Sequence, residues 1–218
     1  MELNNSPETW DSMWSRRDWF TKLLDFGRGV YNIFFRRFLN QYTSPDKEMI
    51  ELGCGSATLA LSLRHKLKNL VGIDNSEEAV ALAASHDKRM NVAAEFVHGD
   101  IFALPENLKN RFDLVWSQGL MEHFPDYEKV VQAHWNAAKP GGTILISVPF
   151  KYAYMYLWRA ATRNNLLKRF WPYAEQKFLT HSELNALGGE FSRNYKVYLL
   201  PPAPIGLLLG IIILEIKK

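Results

Sequence analysis

One cysteine, Cys54, is all the sulfur chemistry of this kind that 218 residues contain. A lone thiol forms no internal disulfide and no cysteine-rich zinc site, so the chain carries no mark of an oxidising compartment, and a cytoplasmic location is the default expectation. Long apolar runs are missing as well. The longest, Ile205 to Leu214, falls far short of the roughly 20 residues that a membrane-spanning helix needs, and it is read as a buried strand. The opening Met-Glu-Leu-Asn-Asn-Ser-Pro-Glu has neither the basic start nor the apolar centre of a signal peptide. Charge of one sign is also scarce. The net charge of +3 is too mild to argue for nucleic acid, and no such partner is expected. Histidines 65, 86, 98, 134 and 181 have no carboxylate or cysteine companions at ligand spacing, so no metal is expected. There is no internal repeat. What remains, 47% hydrophobic and 22% charged, is ordinary for one α/β domain with a sizeable core.

The rest of the chain is organised around Met49 to Ala60, Met-Ile-Glu-Leu-Gly-Cys-Gly-Ser-Ala-Thr-Leu-Ala. A short apolar strand runs into a Gly-x-Gly turn, and a helical pattern with Leu59, Leu63 and Leu67 on one stripe leaves it. Glycines placed there make a ligand seat. Gly53 and Gly55 admit positive φ and a close backbone approach, and the free N–H groups of the helix start face whatever binds. Such turns also arise for purely conformational reasons. This one is sharpened by Leu70-Val71-Gly72-Ile73-Asp74, a second buried strand that ends in an acid. It lies about 20 residues on, where nucleotide folds place the carboxylate that takes ribose hydroxyls. A dinucleotide fingerprint would want a third glycine, and Thr58 stands in its place, which disfavours an NAD-dependent oxidoreductase.

Patterning predicts strands at 49–52, 70–74, 94–98, 112–117 and 142–148, alternating with helices at 58–67, 76–86 and 126–138. That alternation is the signature of parallel βαβ units in a doubly wound α/β sheet. Ahead of them, Ser6 and Pro7 read as the cap and first residue of a helix that carries Trp10 and Trp14 on one face. Val30, Ile33, Phe34 and Phe38 mark a second helix. Pro140-Gly141-Gly142 reads as the turn into the fifth strand. Thr180-His181-Ser182-Glu183 is a capping box whose helix should stop at Gly188-Gly189. Phe191 to Leu200 and Leu207 to Ile216 form a closing pair of strands, antiparallel because the prolines between them leave no room for a crossover helix. The whole chain, 1–218, is expected to be one domain: a helical cap at 1–45, a core at 46–149, an insert at 150–180, and a closing helix and strand pair at 181–218.

Five stretches in this order, Glu51-Leu52-Gly53-Cys54-Gly55, Gly72-Ile73-Asp74-Asn75-Ser76, Gly99-Asp100-Ile101, Phe112-Asp113-Leu114-Val115 and Lys139-Pro140-Gly141-Gly142, resemble the class I S-adenosylmethionine-dependent methyltransferases, especially their small-molecule branch. The match covers about residues 49 to 150, and the closing strand pair fits the family's final hairpin. The resemblance implies a Rossmann-like, mostly parallel seven-stranded sheet with an antiparallel final hairpin strand and helices on both faces. It implies S-adenosylmethionine as cofactor. Gly53, Cys54 and Gly55 would then cradle it, Glu51 would reach its amino group through water, Asp74 would accept the ribose hydroxyls and Asn75 would lie along the adenine. Asp100 would take the adenine amine while Ile101 packs on the ring, and Ser117 and Gln118 would line the methionine end. A carboxylate can accept two hydroxyl donors and an exocyclic amine needs an acceptor, which is consistent with these roles.

A sulfonium is an activated methyl donor, so positioning and exclusion of water account for much of the catalysis. A hydroxyl acceptor usually also needs a base, and the candidate is His123, just past the fourth strand. Its other reading is a helix cap or a neutral packing residue. The only cysteine sits in the glycine turn, Ser117-Gln118-Gly119-Leu120 replaces the aromatic-proline tetrad of nucleobase amine methylases, and Glu122 stands alone where arginine methylases carry paired glutamates. What is left is a small, apolar, aromatic or lipid-like acceptor. The aromatic and basic residues of 150–180, Tyr154 and Trp158 among them, together with Trp10 and Trp14, are candidate acceptor contacts, and the basic heads suit an anionic group or a lipid surface. The same residues also fit a plain helical cover. A non-catalytic module that binds S-adenosylmethionine is the alternative reading.

Overall fold

The computed structural model describes residues 6–15, 29, 31–153, 160–161, 176–202, 206 and 210–218. Its centre is a seven-stranded sheet built from β1 (Glu48–Leu52), β2 (Asn69–Asp74), β3 (Glu95–His98), β4 (Phe112–Gln118), β5 (Ala138–Pro149), β6 (Tyr195–Leu200) and β7 (Ile211–Lys217). The strand order is β3-β2-β1-β4-β5-β7-β6. The first five strands run parallel, and β7 is antiparallel to both β5 and β6. Chain order reverses at β1, which lies between β2 and β4, and this opens the crevice in which doubly wound sheets take ligands. The expected fold class is the one observed.

Strand alternation divides the core into two layers. Ile50, Leu52, Val71, Ile73, Val115, Ile144 and Ile146 face one side, where they pack on Val130 and Val131 of α5 (Tyr127–Ala137) and on Leu184 and Leu187 of α6 (His181–Phe191). Met49, Leu70, Leu114, Trp116 and Leu145 face the other, against Phe35 and Leu39 of helix α2 (31–39) and Ala83 of α4 (Glu77–Met90). Inner strands covered on both faces are mostly apolar, as parallel sheets require. Helix α1 (Pro7–Trp14) starts at Ser6 with Pro7 as its first residue, as expected. Among the described residues no helix is long and apolar enough to cross a membrane.

Several boundaries differ from expectation, each for a visible reason. Helix α3 is a single turn, Thr58–Leu61, followed by a 3-10 turn at Arg64–Lys66, and not one helix over 58–67. Leu59, Ala60, Leu61, Leu63 and Leu67 are all buried, which no single helical stripe allows, and the Ser62 hydroxyl donates to the Leu59 carbonyl at 2.6 Å in competition with the helix ladder. Helix α4 runs past residue 86 to Met90, where Asn91 ends it in the left-handed conformation (φ 52). Helix α6 has the predicted capping box at Thr180 and Glu183 but passes through Gly188-Gly189. Gly188 serves close packing instead, since a β-carbon there would stand 2.5 Å from the Tyr195 ring. β5 begins at Ala138, the Pro140-Gly141 stretch being absorbed as an irregularity in its register with β4. The apolar run Ile205 to Leu214 is not one strand: Gly206 is helical and β7 begins only at Ile211.

Candidate cofactor and acceptor site

The glycine turn after β1 has three residues at positive φ: Gly53 at 65°, Gly55 at 50° and Ala57 at 52°. A β-carbon on Gly53 would stand 2.5 Å from Leu120 Cδ1, and one on Gly55 2.4 Å from Trp14 Cζ2. Asp74 at the end of β2 ties this turn in place. Its Oδ2 accepts the Gly55 N–H at 2.8 Å and its Oδ1 the Ser76 N–H at 3.0 Å. Burial pushes its carboxyl above the ordinary range, while the N–H groups of Ser76, Gly55 and Asn75 oppose the shift. Each carboxylate oxygen keeps a further lone pair, so both can still accept a hydroxyl. Cys54 is buried in the same turn, and burial raises its thiol well above the usual value, so it is inert as a nucleophile.

Glu51 is 4% exposed in β1, opposite Trp116 of β4, and its Oε2 has no hydrogen-bond partner. Burial pushes the carboxyl up to about 8, with the Trp116 indole opposing and Asp74 reinforcing. On the β3 side, Asn75 receives the His98 ring on its carbonyl at 3.1 Å. Asp100 is exposed and uses one oxygen to cap the turn at Phe102 N (2.9 Å), while Ile101 is turned into the core.

Past β4 the site residues diverge. Ser117 is fully buried, and its Oγ stands 2.9 Å from His134 Nε2 on α5. His134 Nδ1 lies 2.7 Å from the Val130 carbonyl, an acceptor only, so Nδ1 carries the proton and Nε2 accepts from Ser117. Burial holds this imidazole neutral, down to about 4. The structure therefore turns the Ser117 side chain toward α5 and away from the crevice expected to hold the methionine end. Gln118 stays half-buried at the strand end. His123 is 5% exposed on the 3-10 turn Met121–His123, and its ring meets Trp10 edge-on with centroids 4.8 Å apart.

Helix α1 crosses this mouth. Trp10 lies on His123, Trp14 on Gly55, and between them the Asp11 carboxylate accepts from Ser76 Oγ at 2.5 Å at the start of α4. Tyr154 and Trp158, the other expected acceptor contacts, lie outside the described residues. One participant had no usable signal in the sequence: Asp11, which a helical pattern reads as solvated.

The chain matches the family model described as "Methyltransferase domain" over residues 43–184, and it belongs to that family. Among curated proteins it is similar to the ubiquinone biosynthesis O-methyltransferases of Pseudomonas fluorescens (strain SBW25), 28% identical over 142 residues, and Pseudomonas aeruginosa (strain UCBPP-PA14), 27% over 146. The matches cover 64% and 66% of this chain, and only 61% and 63% of those relatives' own length. Among solved structures it resembles magnesium protoporphyrin IX methyltransferase from Synechocystis PCC 6803 with bound SAH, with TM-score 0.68, 13% identity, and coverage of 97% of this chain and 93% of that one. It also resembles the N-methyltransferase NodS from Bradyrhizobium japonicum WM9 in complex with S-adenosyl-L-homocysteine, with TM-score 0.65, 15% identity and 99% coverage of both chains. At such identities these likenesses establish the fold alone.

Proposed function

We propose that this chain is an enzyme that uses S-adenosylmethionine to methylate a small, apolar, aromatic or lipid-like acceptor. The observation that carries the reading is Glu51, a buried carboxyl with an orphaned oxygen beside a glycine cradle. A native fold keeps such an atom unpaired when a ligand supplies the missing donor, and the amine of a bound methionine moiety is a donor of the right kind. The remaining residues fit the same group. Gly53 and Gly55 hold the turn at positive φ, with Leu120 and Trp14 packed against them in the ligand-free chain, and Asp74 and Asp100 each retain acceptor capacity for ribose and adenine. Oxygen as the attacked atom is supported by the name that the curated relatives share.

Bound S-adenosylmethionine would supply a methyl carbon on a positively charged sulfur. The chain's part is to orient and to dry the site. Glu51 fixes the methionine end and Asp74 the ribose, which sets the direction of the methyl group within the crevice. Helix α1 covers the acceptor side, with Trp10 and Trp14 excluding water. His123 takes the hydroxyl proton of the acceptor at a ring nitrogen as the oxygen is alkylated. Exclusion of water and proximity are the larger contributions, so loss of His123 should slow turnover without abolishing it.

Turnover is the test. Protein incubated with methyl-labelled S-adenosylmethionine and a cell extract should yield a labelled small product extractable into organic solvent. Cofactor binding with no labelled product from any extract would favour the non-catalytic module.

A further inference from the structure

Glu51 is not the only buried acid with an orphaned oxygen. Glu122, 2% exposed in the loop after β4, also has an orphaned Oε2, and so do two neighbours, Tyr127 Oη at the start of α5 and Gln176 Nε2 in the segment returning from the insert. Backbone contacts bring these three elements together. The Lys177 N–H donates to the Glu122 carbonyl at 2.8 Å, and Lys177 Nζ stands 5.2 Å above the Tyr127 ring. Glu122 lies close enough to Tyr127 to oppose ionisation of its phenol. On the other side, a β-carbon on Gly119 would stand 3.3 Å from Glu122 Oε1. Glu122 therefore sits on the α5 side of the loop, while the adjacent His123 faces Trp10 of α1.

Native structures rarely leave one buried polar side-chain atom unpaired, and here three lie on elements in contact with one another, next to the candidate base. Their chemistry selects an occupant. A buried carboxyl that keeps its proton, as Glu122 does, donates or accepts, an amide N–H only donates, and a phenol does either. An ammonium could not accept from Gln176, and an apolar group would satisfy none of the three. A neutral hydroxyl satisfies all of them, donating to one and accepting from another.

We infer that Glu122, Tyr127 and Gln176 form a polar subsite that holds a hydroxyl group of the methyl acceptor. The subsite rests on the methyltransferase reading for its purpose, not for its binding chemistry. It positions the acceptor on the α5 side of the loop, with the cofactor seat on the other, and it selects hydroxylated acceptors over apolar molecules of the same shape.

The test uses phenol and toluene, nearly equal in shape, at millimolar concentration. Ligand-observed NMR on the whole protein measures both affinities, with and without saturating S-adenosylhomocysteine. Phenol is expected to bind about fivefold or more tighter than toluene, the factor for one or two net hydrogen bonds. Glu122→Leu, Tyr127→Phe and Gln176→Leu should each bring the two probes to within about twofold, and should hold or raise the melting temperature, since an orphaned group that packs but does not pair contributes nothing to folding. Equal affinities in the wild-type protein overturn the proposal. So does a phenol preference that survives all three substitutions, and so does loss of stability in every variant, which would make the groups structural. Failure of S-adenosylhomocysteine to bind would overturn the enzyme assignment instead, leaving the comparison without cofactor to decide the subsite.

Discussion

The Trp14 indole lies so close over Gly55 that no side chain fits between them. The helix that carries Trp14 is thus seated on the turn expected to receive the cofactor, and its two tryptophans reach both that turn and His123. This contact has a direct consequence for mutants. Gly55→Ala places a β-carbon at φ 50 and 2.4 Å from the Trp14 indole, and the left-handed conformation alone costs roughly 1 to 2 kcal/mol. In a Trp14→Ala background the steric part should vanish. A double-mutant cycle by chemical denaturation should show a coupling of about 1 kcal/mol or more. Additive effects would place Trp14 away from the turn in solution.

Trp14 fluorescence should report ligand entry. If α1 closes over the crevice, S-adenosylhomocysteine should change the emission of Trp14 in a protein whose other tryptophans are replaced by phenylalanine. Removing residues 1–20 should impair turnover much more than cofactor affinity. Normal turnover by the truncated chain would leave the helix a mere packing element.

Asp74 has two duties, and its substitution should show both. Asp74→Ala removes an acceptor for ribose hydroxyls, a loss of roughly 1.5 to 3 kcal/mol in cofactor binding. It also strands the N–H groups of Gly55 and Ser76. The fold is therefore weakened as well, and a further loss of about 1 to 3 kcal/mol in stability is expected by urea titration. Asp74→Asn, which keeps one acceptor oxygen, should recover part of the stability and little of the affinity.

Glu122 makes stability depend on pH in an unusual direction. Burial holds its proton up to about 8 in the folded chain, against an ordinary value of 4.5. Between these limits the folded state holds more protons than the unfolded one, so stability falls as pH rises. The full effect is on the order of 5 kcal/mol. Glu122→Gln should be more stable than wild type by a margin that widens from pH 5 to pH 8, read as melting temperature. Glu51 shares this sign and buried His134 has the opposite one below pH 6.5, but both are present in each protein and cancel in the comparison. A margin constant with pH would contradict the placement of Glu122.

The sheet was legible because strand burial, the two strand-end signals at Gly53 and Asp74, and the prolines before β7 are all local in sequence. Helix ends were less so. Gly188 reads as a stop until Tyr195, seven residues on, is seen packed against it. The site was legible where a side chain acts through its own strand end, as Glu51 and Asp74 do. It was not legible where a partner from another element decides direction. Nothing near Ser117 announces that His134 will take its hydroxyl, and nothing near Glu122 announces Tyr127 and Gln176.

The central claim, that this is a seat for S-adenosylmethionine with Glu51 at its methionine end, is tested most directly by titration calorimetry of S-adenosylhomocysteine into wild-type protein and Glu51→Gln. The account predicts one site of low to moderate micromolar affinity, about 7 to 8 kcal/mol, weakened roughly tenfold or more by the substitution because the amine loses a charged acceptor. No heat with folded wild-type protein, or equal affinity in the two proteins, would contradict it.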